Sequence, residues 1–106
     1  MKIGIIISTN EPETVWNAFR FGVTSVKAGH EVNVFLYGKG VESEEIKSTF
    51  DIKEQIDIFC KNGGKILVCE GCLQMRPKTK SKVCVIGHQK DLLEIVEKSD
   101  KILTFG

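Results

Sequence analysis

The sequence lacks any long apolar run and any large excess of charge of one sign. Among its 106 residues, 15 are lysine or arginine and 14 are aspartate or glutamate, which leaves a formal net charge of +1. The longest apolar stretch, residues 3–7, contains Gly4 and is far shorter than the roughly 20 residues of a membrane-spanning helix. No basic run flanks an aromatic cluster, as nucleic-acid binding favours. We therefore expect neither a nucleic acid nor a membrane as a partner.

The chain is also poor in cysteine for a secreted disulfide scaffold, because it has only 4 cysteines in a chain of ordinary core composition. Residues 8–12 have the composition of a turn that enters a helix, not that of a signal-peptide cleavage site. These observations predict a cytoplasmic protein whose thiols are free or transiently oxidised. A chain of 106 residues accommodates one core, so we assign residues 1–106 to a single domain.

Apolar, β-branched segments alternate along the chain with segments of helical periodicity. The predicted strands are residues 2–8, 31–37, 65–68, 82–86 and 101–105. The predicted long helices are residues 12–28, a segment that begins near Ile52 and ends at Asn62, and residues 89–98. A helical turn is expected within residues 70–76 and a basic loop over residues 77–82. The structure of residues 41–48 is ambiguous from the sequence. Strands separated by helices predict a three-layer α/β fold with a five-stranded, mainly parallel sheet and helices on both faces.

Chemically informative residues follow four of the predicted strands: Asn10, Lys39, Cys69 with Cys72, and His88. In a parallel sheet, ligand-binding and catalytic groups gather beyond the carboxyl ends of the strands. We expect these five residues to lie at one edge, with Asn10, Lys39 and His88 as ligand-binding residues. His88 is equally suited to capping the helix that follows it.

We find no cofactor-binding motif in the sequence. The segment around Lys39, Gly-Lys-Gly, lacks the longer glycine-rich stretch and the following serine or threonine of a phosphate-binding loop. A turn is the better interpretation, and we predict neither a cofactor nor a metal.

The thiol pair Cys69 and Cys72 is the strongest candidate for a catalytic site. If residues 70–76 form a helical turn, Cys69 lies at its N-cap, Cys72 in its first turn, and Arg76 four residues beyond Cys72. A helix N-terminus and a nearby cation both lower the pKa of a thiol and favour the nucleophilic thiolate. Gly71 would let backbone N–H groups approach a sulfur, and the second thiol can attack a sulfur-modified first one.

Three other interpretations of the cysteines stay open. A Cys-x-x-Cys segment also serves as half of a zinc site, as two small packed residues, or as the dithiol of a thioredoxin-like oxidoreductase. Cys60, on the apolar face of a helix, and Cys84, expected in the middle of a strand buried on both faces, are interpreted as packing residues. A four-cysteine zinc site would require both to converge on the pair.

The first helix carries more apolar side chains than one sheet face requires. We expect Phe19, Val23 and Val26 to face the sheet and Trp16 and Phe21 to remain for a subunit contact. This pattern predicts a homo-oligomer.

The order of these features resembles that of the DsrE/DsrF-like (YchN-like) sulfur-relay family over nearly the whole chain. The segments that carry the resemblance are residues 9–13, 28–32, 34–41, 65–76 and 91–105. The most specific is residues 65–76, Lys-Ile-Leu-Val-Cys-Glu-Gly-Cys-Leu-Gln-Met-Arg. One departure is Pro77, where the family usually has glycine after the arginine.

The resemblance implies a function and a set of partners. It implies that Cys69 accepts a persulfide sulfur from a donor protein and passes it to an acceptor protein, that Arg76 matches the family's arginine, and that five-stranded subunits assemble into trimers or hexamers. Taken with the thiol spacing, this predicts a sulfur carrier or sulfurtransferase in which Cys72 assists release. The alternative function is a non-catalytic oligomeric binding module with zinc-bound or structural cysteines, or a dithiol-disulfide redox protein.

Overall fold

A computed structural model describes residues 1–76 and 84–106 of the chain. The described strands are β1 (Lys2–Ile7), β2 (Glu31–Leu36), β3 (Lys65–Cys69), β4 (Val85–Gly87) and β5 (Lys101–Phe105). The α-helices are α1 (Pro12–Lys27), α2 (Ile52–Lys61), α3 (Glu70–Gln74) and α4 (Gln89–Lys98), and a 3-10 helix spans Gly38–Glu45. The predicted basic loop and the first two residues of the predicted fourth strand lie outside the described residues.

The described strands form one parallel sheet in the order β4-β3-β2-β1-β5. Ile7 of β1 is paired with Leu36 of β2, which is paired with Val68 of β3. Because the strands are parallel and in register, their carboxyl ends meet at one edge, from which the following loops emerge. The predicted five-stranded α/β fold is confirmed.

Helices cover both faces of this sheet. On one face α1 packs beside α2, where Gly22 of α1 lies against the ring of Phe59 and the side chain of Ile5. On the other face the side chain of Ile95 in α4 lies over Gly4 of β1. The three aromatic residues Phe19, Phe35 and Phe59 are fully buried in the core. In the described part of the chain, no helix is long and apolar enough to cross a membrane.

The start and end signals of the first helix act as their chemistry predicts. The carboxylate of Glu11 accepts hydrogen bonds from the backbone N–H groups of Glu13 and Thr14, at 3.2 and 2.8 Å, and so caps the helix. At the other end Gly29 follows with a φ of 92°, which stops the helix.

One expectation about packing was wrong. Cys84 precedes β4 and does not lie in a strand buried on both faces, because β4 is a three-residue edge strand whose Val85 is 68% exposed. Trp16 is half-buried, with its ring centroid 5.0 Å from that of Phe50 and 4.3 Å from the Arg20 guanidinium, and its use in a subunit contact stays a prediction. Phe21, in contrast, is exposed as predicted.

Candidate functional site

The candidate site lies at the carboxyl edge of the sheet, where the loops that follow β1, β2, β3 and β4 emerge. Asn10, Lys39 and His88 follow β1, β2 and β4, and the cysteine pair lies at the end of β3, so the predicted residues lie along the same edge. Three groups of side chains stand there: the two thiols, an arginine-carboxylate pair with Asn10 bound to it and Lys39 nearby, and a histidine-carboxylate pair.

Cys69 is the last residue of β3 and the N-cap residue of α3, and it is only 4% exposed. Burial raises the pKa of the Cys69 thiol above its ordinary value. The backbone N–H groups of Cys72 and Gly71 act in the opposite direction on this pKa, and contact with the Cys72 thiol raises it further. The expectation that the following helical turn lowers the pKa of Cys69 is therefore wrong, because α3 has five residues and the buried sulfur loses more in hydration than two N–H groups return.

Cys72 lies one turn later, is half-buried, and has a different environment. The backbone N–H of Gly38 donates a hydrogen bond to its Sγ at 3.2 Å. Gly38 has a φ of 54°, a left-handed conformation that glycine adopts at low cost, and it begins the 3-10 helix after β2. The hydrogen bond fixes the Cys72 sulfur against the start of this 3-10 helix.

Arg76 contacts a carboxylate and a backbone carbonyl. Its Nε donates to Glu42 Oε2 at 2.6 Å, and its Nη1 donates to the backbone carbonyl of Cys72 at 2.9 Å. The Nδ2 of Asn10 donates to the other carboxylate oxygen of Glu42 at 3.2 Å. The hydrogen bond from Arg76, and then that from Asn10, lower the pKa of Glu42, and the charges of Arg76 and Lys39 add to this effect against the opposing effect of burial.

Glu42 is the residue of this site that the sequence analysis missed. It lies in the segment left ambiguous, and 34 positions separate it from Arg76. Its one sequence signal is a negative charge shortly after a strand of a parallel sheet, which is too common to single it out.

Gly40 explains how Glu42 reaches the site. A Cβ at Gly40 would overlap the backbone carbonyl of Ile7, so the 3-10 helix lies directly against the end of β1. Ser43, which is buried, donates from its Oγ to the carbonyl of Gly40 at 2.6 Å and holds this turn together. The close approach places Glu42 between Asn10, after β1, and Arg76, after β3.

Gly71 was expected to let backbone N–H groups approach a sulfur because it has no side chain. Its N–H does act on the sulfur of Cys69. Nothing lies within 4 Å of the position of a Cβ at this residue, however, so the approach of its backbone to the thiols does not require glycine.

His88 begins α4 and also contacts the segment between the cysteines. Its Nε2 lies 3.1 Å from Glu70 Oε2, and its Nδ1 lies 3.6 Å from Asp91 Oδ2. Its backbone N–H donates to Asp91 Oδ2 at 2.8 Å, so the interpretation of this residue as part of the helix cap is confirmed. The contact with Glu70 links the loop after β4 to α3.

The other two cysteines are associated with a different carboxylate. The Cys84 Sγ donates to Glu44 Oε1 at 2.7 Å. Burial, with smaller effects of Asp57 and Glu44, raises the pKa of Cys60. Both cysteines are half-buried and packed against the hydrophobic core, as predicted. Among residues 1–76 and 84–106, no three histidine, cysteine, aspartate or glutamate side chains are grouped to hold a metal ion.

Comparison with known proteins places these features in a family. The model of the DsrE/DsrF-like family matches residues 1–105. An uncharacterised protein of Methanocaldococcus jannaschii, MJ0989, is 28% identical over 116 residues, covering 99% of this chain and the whole of that protein. The crystal structure of the YchN protein from E. coli has a TM-score of 0.83 and 19% identity, covering 99% of this chain and 100% of that one.

A second solved structure has the same fold. It is a conserved protein of unknown function from Bacteroides thetaiotaomicron, BT1422, with a TM-score of 0.80 and 20% identity, covering 98% of this chain and 94% of that one. At these identities the two structural likenesses establish the fold.

Proposed function

Because this chain belongs to the DsrE/DsrF-like family, we propose that it is a small cytoplasmic sulfur carrier that holds a persulfide sulfur on Cys69 and passes it to another protein. The observation that carries the proposal is the position of the thiol pair at the carboxyl edge of the sheet, with Cys69 at the end of β3 and Cys72 in the first turn of α3. Family membership favours a sulfur-relay role, and this edge is where an α/β protein of this type places its chemistry.

The overall reaction conserves the oxidation states of the sulfur atoms. A donor persulfide, R–S–SH, reacts with the Cys69 thiol to give R–SH and Cys69–S–SH. The donor's S–S bond breaks as the new S–S bond forms, and one proton moves from the protein thiol to the departing donor thiol. Transfer to an acceptor thiol repeats the same exchange in the other direction.

In this proposal Arg76 is a positioning residue. It joins the carbonyl of Cys72 to the carboxylate of Glu42, and so connects α3 to the 3-10 helix whose first N–H contacts the Cys72 sulfur. The arginine thereby holds the Cys72 thiol against the Gly38 N–H.

We further propose that the protein is a homo-oligomer and that its donor and acceptor are other proteins. Phe21 supports self-association, because it is a large apolar side chain on α1 that is 41% exposed.

A second candidate function is dithiol-disulfide exchange, and the Cys-x-x-Cys spacing of the pair favours it. Both cysteines are free, and they lie three residues apart at the start of α3. In that function the pair itself would be oxidised and reduced, and sulfur would not be carried.

Mass spectrometry separates the two functions. Reduced protein is incubated with glutathione persulfide, alkylated, and analysed intact and by fragment-ion mapping. A sulfur carrier gains about 32 Da, located on Cys69, whereas a dithiol oxidoreductase forms a disulfide, which loses about 2 Da and takes up two fewer alkyl groups. Cys60→Ser is the matched control and is expected to load as the wild type does. Absence of any gain, or a gain located only on other cysteines, would contradict the proposal.

A further inference from the structure

The burial of Cys69 conflicts with direct loading from another protein. Attack on a persulfide requires the thiolate and the donor's outer sulfur to meet in line, with the donor's leaving sulfur behind it. Cys69 is 4% exposed and belongs to the hydrophobic core cluster, so its side chain gives a donor's sulfur little access in the described conformation.

Cys72 has the solvent exposure that Cys69 lacks. It is half-buried, so that part of the side chain faces solvent, and it lies on α3 beside Cys69. Its sulfur accepts the Gly38 N–H at 3.2 Å, a contact that becomes stronger when the sulfur carries negative charge. Cys72 also follows Cys69 by three residues in the first turn of α3, a spacing that places the two side chains on the same side of the helix.

We propose that Cys72 is the entry thiol, which takes the sulfur from the donor and hands it to the buried Cys69. This inference rests on the proposed carrier function and adds an order of events to it. It assigns Cys72 a catalytic role of its own, before sulfur reaches its place of storage.

The two steps balance without an oxidant or reductant. In the first, the Cys72 thiolate attacks the outer sulfur of R–S–SH, the donor's S–S bond breaks, and the donor leaves as R–SH with the proton that Cys72 gave up. In the second, the Cys69 sulfur attacks the outer sulfur of Cys72–S–SH, that S–S bond breaks, and the Cys69 proton passes to Cys72.

The second step protects the persulfide from other thiols. A persulfide on a half-buried residue is open to attack by small thiols in solution, whereas one on Cys69 is enclosed by the core. The entry thiol and the storage thiol therefore need opposite degrees of exposure.

The test is a quenched time course with glutathione persulfide as the donor, in which fragment ions distinguish sulfur on Cys69 from sulfur on Cys72. In the wild type we expect the Cys72 persulfide to appear first and the Cys69 persulfide to grow from it. Cys72→Ser and Cys72→Ala are expected to load Cys69 at least about tenfold more slowly, and Cys69→Ser is expected to keep its sulfur on Cys72. Cys60→Ser serves as the matched control.

The outcomes distinguish the two proposals. If the wild type gains no sulfur, the carrier function fails. If the wild type loads Cys69 but no Cys72 persulfide precedes it, and both Cys72 variants load at the wild-type rate, the carrier function stands and the entry role of Cys72 is overturned. The wild-type time course decides the order of loading even if a variant folds poorly.

Discussion

Arg76 and Glu42 form a hydrogen-bonded ion pair with an Nε to Oε2 distance of 2.6 Å, although they belong to loops that follow different strands. The pair is partly exposed, with 26% of the arginine and 33% of the glutamate side chain accessible. Because Arg76 also holds the carbonyl of Cys72, this contact connects the loop after β2 to the thiol pair. Its strength therefore bears on both stability and sulfur chemistry.

Glu42→Gln is expected to lower the free energy of unfolding by up to about 1 kcal/mol at pH 7, because it removes a partly exposed ion pair. Interactions in the folded state lower the pKa of Glu42, so the stabilisation is complete above the unfolded pKa, about 4.3, and is lost as pH falls through the folded value. Urea unfolding at pH 7 and pH 3 measures this. The difference from wild type should shrink at pH 3, and a constant difference would argue against the ion pair as its cause. Glu97→Gln, at an exposed position on α4, is the control.

Gly40→Ala is expected to destabilise the protein by about 3 kcal/mol or more, since a Cβ would overlap the Ile7 carbonyl and force the 3-10 helix away from β1. Gly71→Ala is the matched control, because a Cβ there meets nothing within 4 Å and the residue is helical. It should change stability by no more than about 1 kcal/mol, in the stabilising direction. Thermal unfolding of both variants measures this, and equal effects would contradict the close approach of the loop.

Cys69 is expected to make folding sensitive to alkaline pH. Its pKa is raised by burial, so the stability that comes from keeping the thiol neutral is complete below the unfolded pKa of about 8.5 and is lost as pH rises through the folded value. The stability advantage of the wild type over Cys69→Ser should therefore fall between pH 7 and pH 10, in the presence of a reductant. Denaturant titrations at several pH values measure it, and parallel curves would show that Cys69 is not buried as described.

Phe21→Asp is expected to weaken self-association, because a charge would replace an exposed apolar side chain on α1. Sedimentation equilibrium of the wild type should give a mass above the 11.8 kDa of one chain, and the variant should shift towards it. Leu93→Asp, at an exposed position on α4, is the comparison. Dissociation by Leu93→Asp alone would place the contact on α4 instead, and a monomeric wild type would contradict self-association.

The order of strands and helices could be read from the sequence to within a few residues. The predicted bounds of the last helix and the last strand agree with α4 and β5, and the predicted start of the first helix at residue 12 agrees with α1. Periodicity, capping and glycine stops are local properties, so a few consecutive residues suffice to recognise them. β4 was less well predicted, because its edge position depends on which strands neighbour it.

At the cysteine site, too, some features follow from the sequence and others depend on the tertiary structure. The sequence by itself determined that Cys69 ends a strand, that Cys72 follows within a helical turn, and that Arg76 lies at the end of this segment. Only the tertiary structure decided that Cys69 is buried while Cys72 is half-buried, that Gly38 donates to the Cys72 sulfur, and that Glu42 pairs with Arg76. The physical reason is that hydration, pKa and ion pairing depend on groups that folding brings together from distant positions, and spacing along one segment cannot specify them.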